Sequence, residues 1–287
     1  MDMKTGILLV AQGGGEPDAL SVLGRLEARV RRRFPGMEIR WAYASERVRR
    51  KLATQGRHVA SPAEALAALR RAGCTHVAVA PLHVAAGQEY DRLRDEVAAV
   101  RHGRRAWEHI VVGPPLLGSA ADLLRVARAL LAAVPAARKK NEAVIFMGHG
   151  NADHPGALAY LAAAALFQCL DRLAFLATLE SPPLLREVLP LCRAAGVRKA
   201  FLLPFMALAG YHVRTDMAGE RKNSWTRLLA GTGIEPVAVC RGLFEYPAVV
   251  TLWLQHVAAA LRCLQAADRR TSAARSAGGR SSNLRFG

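Results

Sequence analysis

Two histidines and two glutamates each stand just beyond an apolar run, where an open α/β sheet builds its ligand sites. His149 lies in Gly148-His149-Gly150 after Val144-Ile145-Phe146-Met147, and His212 follows Ala209-Gly210-Tyr211. Glu180 follows the run Ala174–Thr178, and Glu89 follows Gly87-Gln88. Imidazole is both a base and a common metal ligand. Two imidazoles with a carboxylate suit divalent cobalt, nickel, iron or zinc.

Each residue also has a plainer reading. A lone histidine after a strand is usually structural, although flanking glycines free the backbone and keep the ring from being covered. Glu180 taken alone reads as a carboxylate stabilising the helix that Ser181-Pro182 opens, worth up to ~1 kcal/mol. Taken together, His149, Glu180 and His212 come from three strand ends of one half of the chain, which favours a shared site. Glu89 would face the same cleft from the other half, as a further ligand or a proton acceptor.

The pairing of halves rests on an internal repeat. Ala78–Glu89 aligns with Phe201–His212, matching Pro81 with Pro204, Gly87 with Gly210 and Glu89 with His212. Leu8–Gly13 aligns with Ile145–Gly150, which sets Gln12 opposite His149. The duplication is chemically unequal, and predicts a metal held mainly by the second half. Other candidates rank lower: His154, before Pro155, reads as a cap, and His83 has Met206 as its partner position. Gly13-Gly14-Gly15 offers an anion cradle at a helix start. It lacks the P-loop lysine and the G-x-G-x-x-G spacing, so no nucleotide is expected.

The elements that must position these residues alternate strand with helix, which implies parallel sheets with helices on both faces. In the first half the pattern predicts strands over Gly6–Ala11, Glu38–Tyr43, His76–Pro81 and Glu108–Val112. Helices are expected over Glu16–Phe34, Ser45–Gln55, Ser61–Ala72, from Tyr90 to Arg101, and Ser119–Val134. Ser61-Pro62-Ala63-Glu64 has the chemistry of a capping box. In the second half strands fall at Ala143–Met147, Ala174–Thr178, Lys199–Pro204 and Glu235–Cys240. Helices start near Pro155 and Ser181, then cover Asn223–Ala230 and Pro247–Ala266. The expected division is an N-terminal half over 1–137, a C-terminal half over 138–266 carrying the histidines, and a basic, disordered tail over 267–287.

With 287 residues the chain has room for two such halves. Its net charge of +17 admits nucleic acid, acidic lipid or an acidic small molecule as partner. Clusters such as Arg31-Arg32-Arg33 and Arg104-Arg105 read as solvated faces, and no nucleic-acid motif accompanies them. The longest apolar stretch identified, Ala157–Leu170, is shorter than the ~20 residues a membrane span needs. The five dispersed cysteines form no C-x-x-C pair and read as reduced thiols of a cytoplasmic protein.

The motifs resemble those of the anaerobic-pathway cobalt chelatase family, CbiK. The matching segments include Phe34-Pro35, Arg49-Arg50-Lys51-Leu52, Gly87-Gln88-Glu89-Tyr90 and Phe146-Met147-Gly148-His149-Gly150. Ala209-Gly210-Tyr211-His212, Asp216-Met217-Ala218-Gly219 with Ser224-Trp225, and Arg241-Gly242-Leu243 continue the series. The resemblance implies a class II chelatase fold, with two similar Rossmann-like or flavodoxin-like halves and an active-site cleft between them. It implies ATP-independent insertion of Co2+ into sirohydrochlorin, a polycarboxylate tetrapyrrole, in cobalamin biosynthesis. By the same resemblance His149 is metal ligand and proton acceptor, His212 and Glu180 complete the metal set, and Glu89 is the acidic residue facing the cleft. Two departures stand out: Ala11-Gln12-Gly13-Gly14-Gly15 replaces the family's Ser-Phe-Gly-Thr-Ser loop, and Tyr211 stands where an acidic residue is common. Nickel or ferrous iron as the metal, or a carrier that binds without turnover, remain the alternatives. A homo-oligomer is left open; no membrane or nucleic-acid partner is expected.

Overall fold

In the computed structural model, residues 3–101, 107 and 109–281 are described. The first half runs β1 (Thr5–Ala11), α1 (Pro17–Arg33), β2 (Glu38–Tyr43), α2 (Glu46–Ala53), α3 (Pro62–Arg71), β3 (His76–Pro81), α4 (Gln88–Arg101), β4 (His109–Val112) and α5 (Ala120–Leu131). The second runs β5 (Ala143–Gly148), α6 (Ala157–Leu170), β6 (Ala174–Thr178), α7 (Leu185–Ala194), β7 (Lys199–Pro204), α8 (Trp225–Gly231), β8 (Glu235–Ala238) and α9 (Pro247–Ser281). Glu108, where the fourth strand was expected to begin, and Arg104-Arg105 lie outside the described residues.

Two four-stranded sheets form, ordered β2-β1-β3-β4 and β6-β5-β7-β8, with every pairing parallel. The common order gives the sequence repeat its structural form. Strands buried on both faces read as continuous apolar runs, and β3, β5 and β6 are buried at every residue. Of the edge strands, β2, β4 and β8 are only partly covered. Serine caps start several helices as their sequences require: Ser61 and Glu64 form the expected capping box, and the Ser119 hydroxyl accepts from the Asp122 N–H.

Alternation along each strand divides the core. Leu8 and Val10 face Leu66, Leu69, Leu93 and Val97 on one side of the first sheet. Ile145 and Met147 likewise face Val188, Trp225 and Leu229. The opposite faces of both sheets meet in one continuous core holding Ile7, Leu9, Phe146, Phe201, Trp253 and Val257. Within it the Phe146 and Phe167 rings stack 4.3 Å apart.

Helix α9 comes last in the chain yet packs on β3 and β4 of the first sheet. The alanines Ala78 and Ala80 of β3 share its core with Trp253 and Val257, and their small side chains let the helix approach closely. Its stretch Pro247–Arg270 is long and apolar enough to span a membrane by length and composition, but half of that window is buried inside the protein. Gln255, His256 and Arg262 interrupt its apolar run in the sequence. The helix also differs from the expected end at Ala266 and disordered tail over 267–287, continuing to Ser281. The composition after Ala267 offers little apolar surface to bury, but alanine and arginine are strong helix formers and a nucleated helix extends cheaply. Residues 282–287 lie outside the described part.

Two histidines of the first half are enclosed, His76 and His83. His83 is 6% exposed, neither ring nitrogen has a hydrogen-bond partner among the described residues, and its ring meets Tyr90 edge-on at 6.1 Å. Burial pulls its pKa down to about 4, whereas an unfolded imidazole titrates near ~6.5. Between these values the unfolded chain binds the extra proton, so this group leaves stability untouched above ~6.5 and erodes it as pH falls toward about 4. Paired urea melts at pH ~7.5 and ~5 should show wild type losing ~2 kcal/mol more than His83→Leu over that interval. Identical losses in the two proteins would overturn this account.

Candidate metal centre

Strand β5 lies between β6 and β7, in register Gly148↔Thr178 and Met147↔Pro204. Neighbouring strands sit ~4.8 Å apart, so residues leaving three adjacent carboxyl ends emerge within reach of one another. Backbone bonds then tie the exits together. Glu180 N donates to His149 O at 3.0 Å, Leu179 N to Gly148 O at 3.2 Å, and Phe205 N to Met147 O at 2.7 Å. The His149 and His212 rings end 5.0 Å apart and nearly perpendicular, at 81°. Glu180 Oε2 stands 3.4 Å from His149 Nδ1. The side chains of His149, Glu180 and His212 are 37%, 51% and 40% exposed, open enough for an ion to enter and leave.

The glycines around His149 answer to packing rather than to exposure of the imidazole. A Cβ on Gly148 would meet the Tyr160 ring at 2.9 Å. Gly150 has φ +86°, and a Cβ there would approach Thr178 Oγ1 to 2.7 Å. Burial, and secondarily the nearby Glu180 charge, push the Tyr160 phenol up to about 12, so it stays protonated beneath the loop. Ser181 Oγ accepts from Asn151 N at 3.1 Å and Thr178 Oγ1 bonds Ser181 O, which fixes the turn carrying Glu180. Helix α7 starts at Leu185 rather than at the expected Ser181-Pro182. Glu180 therefore does not cap it, and the plainer reading of that residue fails.

His212 is the residue before a π-helical turn, Val213–Met217, which the sequence pattern did not reveal. Such turns recur at functional sites. The turn brings Asp216 Oδ2 to 2.7 Å from His212 Nδ1. A carboxylate on one ring nitrogen fixes the tautomer and leaves the other, Nε2, for a metal. Asp216 was legible only as part of an Asp-Met-Ala-Gly motif. The His-x-x-x-Asp spacing was the available signal, since residues four apart share a helix face.

Loops from the two halves meet beside this cluster. Asn151 Nδ2 donates to Ala86 O at 2.8 Å, and the close approach needs Gly87 and Gly156, where a Cβ would lie 2.7 Å from Asn151 Nδ2 and 2.0 Å from Ala86 O. His154 Nδ1 accepts from Gly156 N–H, so its proton sits on Nε2 and is donated to Asp91 Oδ2 at 2.9 Å. His154 thus holds a backbone N–H at the start of α6, as a cap would, and also bridges to the first half, which the sequence did not indicate.

Glu89 is in the first turn of α4 and no ion pair joins it to either histidine among the described residues. It lines two adjoining cavities of 120 and 350 Å³ at the exit of β2, bordered by Glu46, Arg47, Arg49, Arg50 and Arg92. The structure brings His149, Glu180 and His212 together and sets Glu89 in this arginine-rich groove. Gly13-Gly14-Gly15 is a closely packed turn. Its Gly14 and Gly15 carbonyls accept from Tyr43 Oη and Arg57 Nη1, and Cβ atoms on Gly13 and Gly15 would press on Val48 and Leu52 at 2.8 and 2.6 Å.

Comparison with known proteins bears on the whole chain. Residues 5–262 match the model of the cobalt chelatase (CbiK) family. The chain is 40% identical over 261 residues to the sirohydrochlorin cobaltochelatase CbiKC of Nitratidesulfovibrio vulgaris, covering 91% of this chain and 92% of that one. It is 30% identical over 268 residues to the sirohydrochlorin cobaltochelatase of Salmonella typhimurium, covering 90% and 97%. Among solved structures, SirB from Bacillus subtilis with Fe3+ superposes with a TM-score of 0.66 at 16% identity, over 90% of this chain and 96% of that chain, a likeness of fold. The chain belongs to the cobalt chelatase (CbiK) family.

Proposed function

We propose that this protein is a cytoplasmic sirohydrochlorin cobaltochelatase, inserting Co2+ into sirohydrochlorin without ATP in anaerobic cobalamin biosynthesis. The observation that carries the reading is the facing pair His149 and His212, 5.0 Å apart with Glu180 at 3.4 Å, in a member of this family. Cobalt is here a substrate, so the site must hold it and then let it go. Two imidazoles and one carboxylate from partly exposed side chains, with no thiolate, suit a borderline divalent ion bound reversibly.

The reaction exchanges one divalent ion for two pyrrole N–H protons, so bases are needed beside the metal ligands. Glu180 and His212 retain the ion while His149 releases it and accepts a proton. A neutral imidazole serves either role, though not both at once. Asp216 holds the His212 ring so that its Nε2 stays aimed at the ion, a positioning role. Glu89 supplies the acidic group on the first-half side, as the second proton acceptor. The Arg47, Arg49, Arg50 and Arg92 guanidiniums around it suit the substrate's carboxylates, because guanidinium matches carboxylate in charge and shape. The net charge of +17 steers the same polyanion at longer range.

Insertion of cobalt, followed by the change in the tetrapyrrole absorption spectrum, tests the reading. His149→Ala should lower turnover by roughly 10²–10⁴-fold, the usual cost of losing a positioned base, and His212→Ala should weaken cobalt binding. Insertion that survives both substitutions would sink the mechanism. Nickel and ferrous iron supplied in parallel under reducing conditions rank the ions, with cobalt expected first. Asp216→Asn should cost ~10–100-fold in metal affinity or activity, mainly as a raised KM for cobalt with the folded spectrum unchanged. Arg92→Ala should raise KM for sirohydrochlorin several-fold, more at low than at high salt, with little change in kcat. An unaltered KM in that variant would remove the groove from substrate recognition.

A further inference from the structure

A second cluster of metal-ligating side chains lies at the opposite end of the first sheet. His76 and His109 are the first residues of β3 and β4 and are register partners. Paired residues of adjacent parallel strands present their side chains on the same face, ~4.8 Å apart; here the rings lie 5.0 Å apart. Helix α9 crosses that face and adds Asp268. One ligand atom from each of His76, His109 and Asp268 falls within 4.8 Å of the other two.

Three details separate this cluster from an ordinary ion pair. His76 is fully buried, and its Nε2 has no hydrogen-bond partner among the described residues. Its Nδ1 lies 2.8 Å from Thr75 Oγ1, which is also 3.4 Å from Lys4 O. With the Thr75 hydroxyl turned to Lys4 O, Nδ1 carries the proton and the Nε2 lone pair faces the Asp268 carboxylate; turned to Nδ1, it leaves the proton on Nε2. In the first state two acceptors face each other, and a cation belongs between them. Their separation, His76 Nε2 to Asp268 Oδ1, is 3.4 Å. Two ligand atoms ~2.0–2.1 Å from a tetrahedral zinc stand ~3.3–3.4 Å apart, whereas a hydrogen bond closes to ~2.8 Å.

We propose that His76, His109 and Asp268 bind a divalent transition ion of the zinc type, which fastens α9 to the edge of the first sheet. Thr75 orients the His76 ring, as an outer hydrogen-bond partner does for a ligating histidine. The ion here is structural. It sits at the amino ends of β3 and β4, away from the carboxyl ends of β5, β6 and β7 where the insertion site lies. Two imidazoles and a carboxylate leave a fourth position for water.

The test uses the full chain stripped of metal and titrated with Zn2+ alone by equilibrium dialysis, with thermal unfolding as a second readout. Because Zn2+ also suits the insertion site, the titration is run in the double variant His149→Ala with His212→Ala. That protein should still bind one Zn2+ per chain and melt at a higher temperature with zinc than without. Adding Asp268→Asn, or separately His109→Gln, should abolish both effects; two independent replacements guard against one of them unfolding the chain. The single variants Asp268→Asn and His109→Gln should retain cobalt insertion. Failure of the double variant to bind zinc, or equal binding after Asp268→Asn and His109→Gln, would overturn the proposal. Since the readout is zinc binding, loss of the chelatase reading itself would leave this result unchanged.

Discussion

The site depends on the parallel pairing of β5 with β6 on one side and β7 on the other. Parallel strands all end at the same edge of a sheet, so three consecutive partners deliver three loops to one place. His149, Glu180 and His212 each leave one of these ends. The backbone bonds from Glu180 and Leu179 to the carbonyls of His149 and Gly148 draw two of the exits together. The third comes in through a longer loop, and the π-helical turn after it sets the His212 ring against Asp216. A slip of one residue in either pairing would turn every side chain of the slipped strand to the other face.

A second constraint fixes the two halves relative to each other. Their inner faces share one apolar core, and α9 returns from the end of the chain to cover β3 and β4. Asn151 and His154, immediately after His149, then bond Ala86 and Asp91 of the first half. The loop that carries the catalytic candidate is therefore held by the opposite half. This explains why the glycines at 87 and 156 are needed, since larger residues would push the loops apart. Symmetry of fold is retained while symmetry of chemistry is not. The first half contributes glutamates and arginines near the exit of β2, and the second contributes imidazoles.

Particular residues show what was legible without coordinates. The boundaries of β2, β3, β6 and β7 match the expected ones residue for residue; β3, β6 and β7 are bounded, mostly apolar runs, whereas β2, an edge strand with Arg40 exposed, mixes polar and apolar residues. The proximity of His149 to His212 was readable from the repeat and the family motif together. The start of α7 was misread, since Ser181-Pro182 has the form of a helix opening yet folds as a turn stitched by Thr178 and Asn151. The extent of α9 was underestimated because composition reports what a segment can bury, not what a helix already formed can extend. The position of Glu89 among arginines, and the meeting of His76 with Asp268, join residues far apart in the chain with no local pattern.

The sequence by itself determined the alternation of strand and helix, the duplication, the apolar strands and the chemical types placed after them. Those are local properties: periodicity, caps and side-chain chemistry act over a few residues. The tertiary structure decided which carboxylate pairs with which imidazole. It gave Glu180 to His149, Asp216 to His212 and Asp268 to His76. Such pairings depend on ångström separations set by strand register, loop closure and helix packing, and these arise only when distant segments share one core.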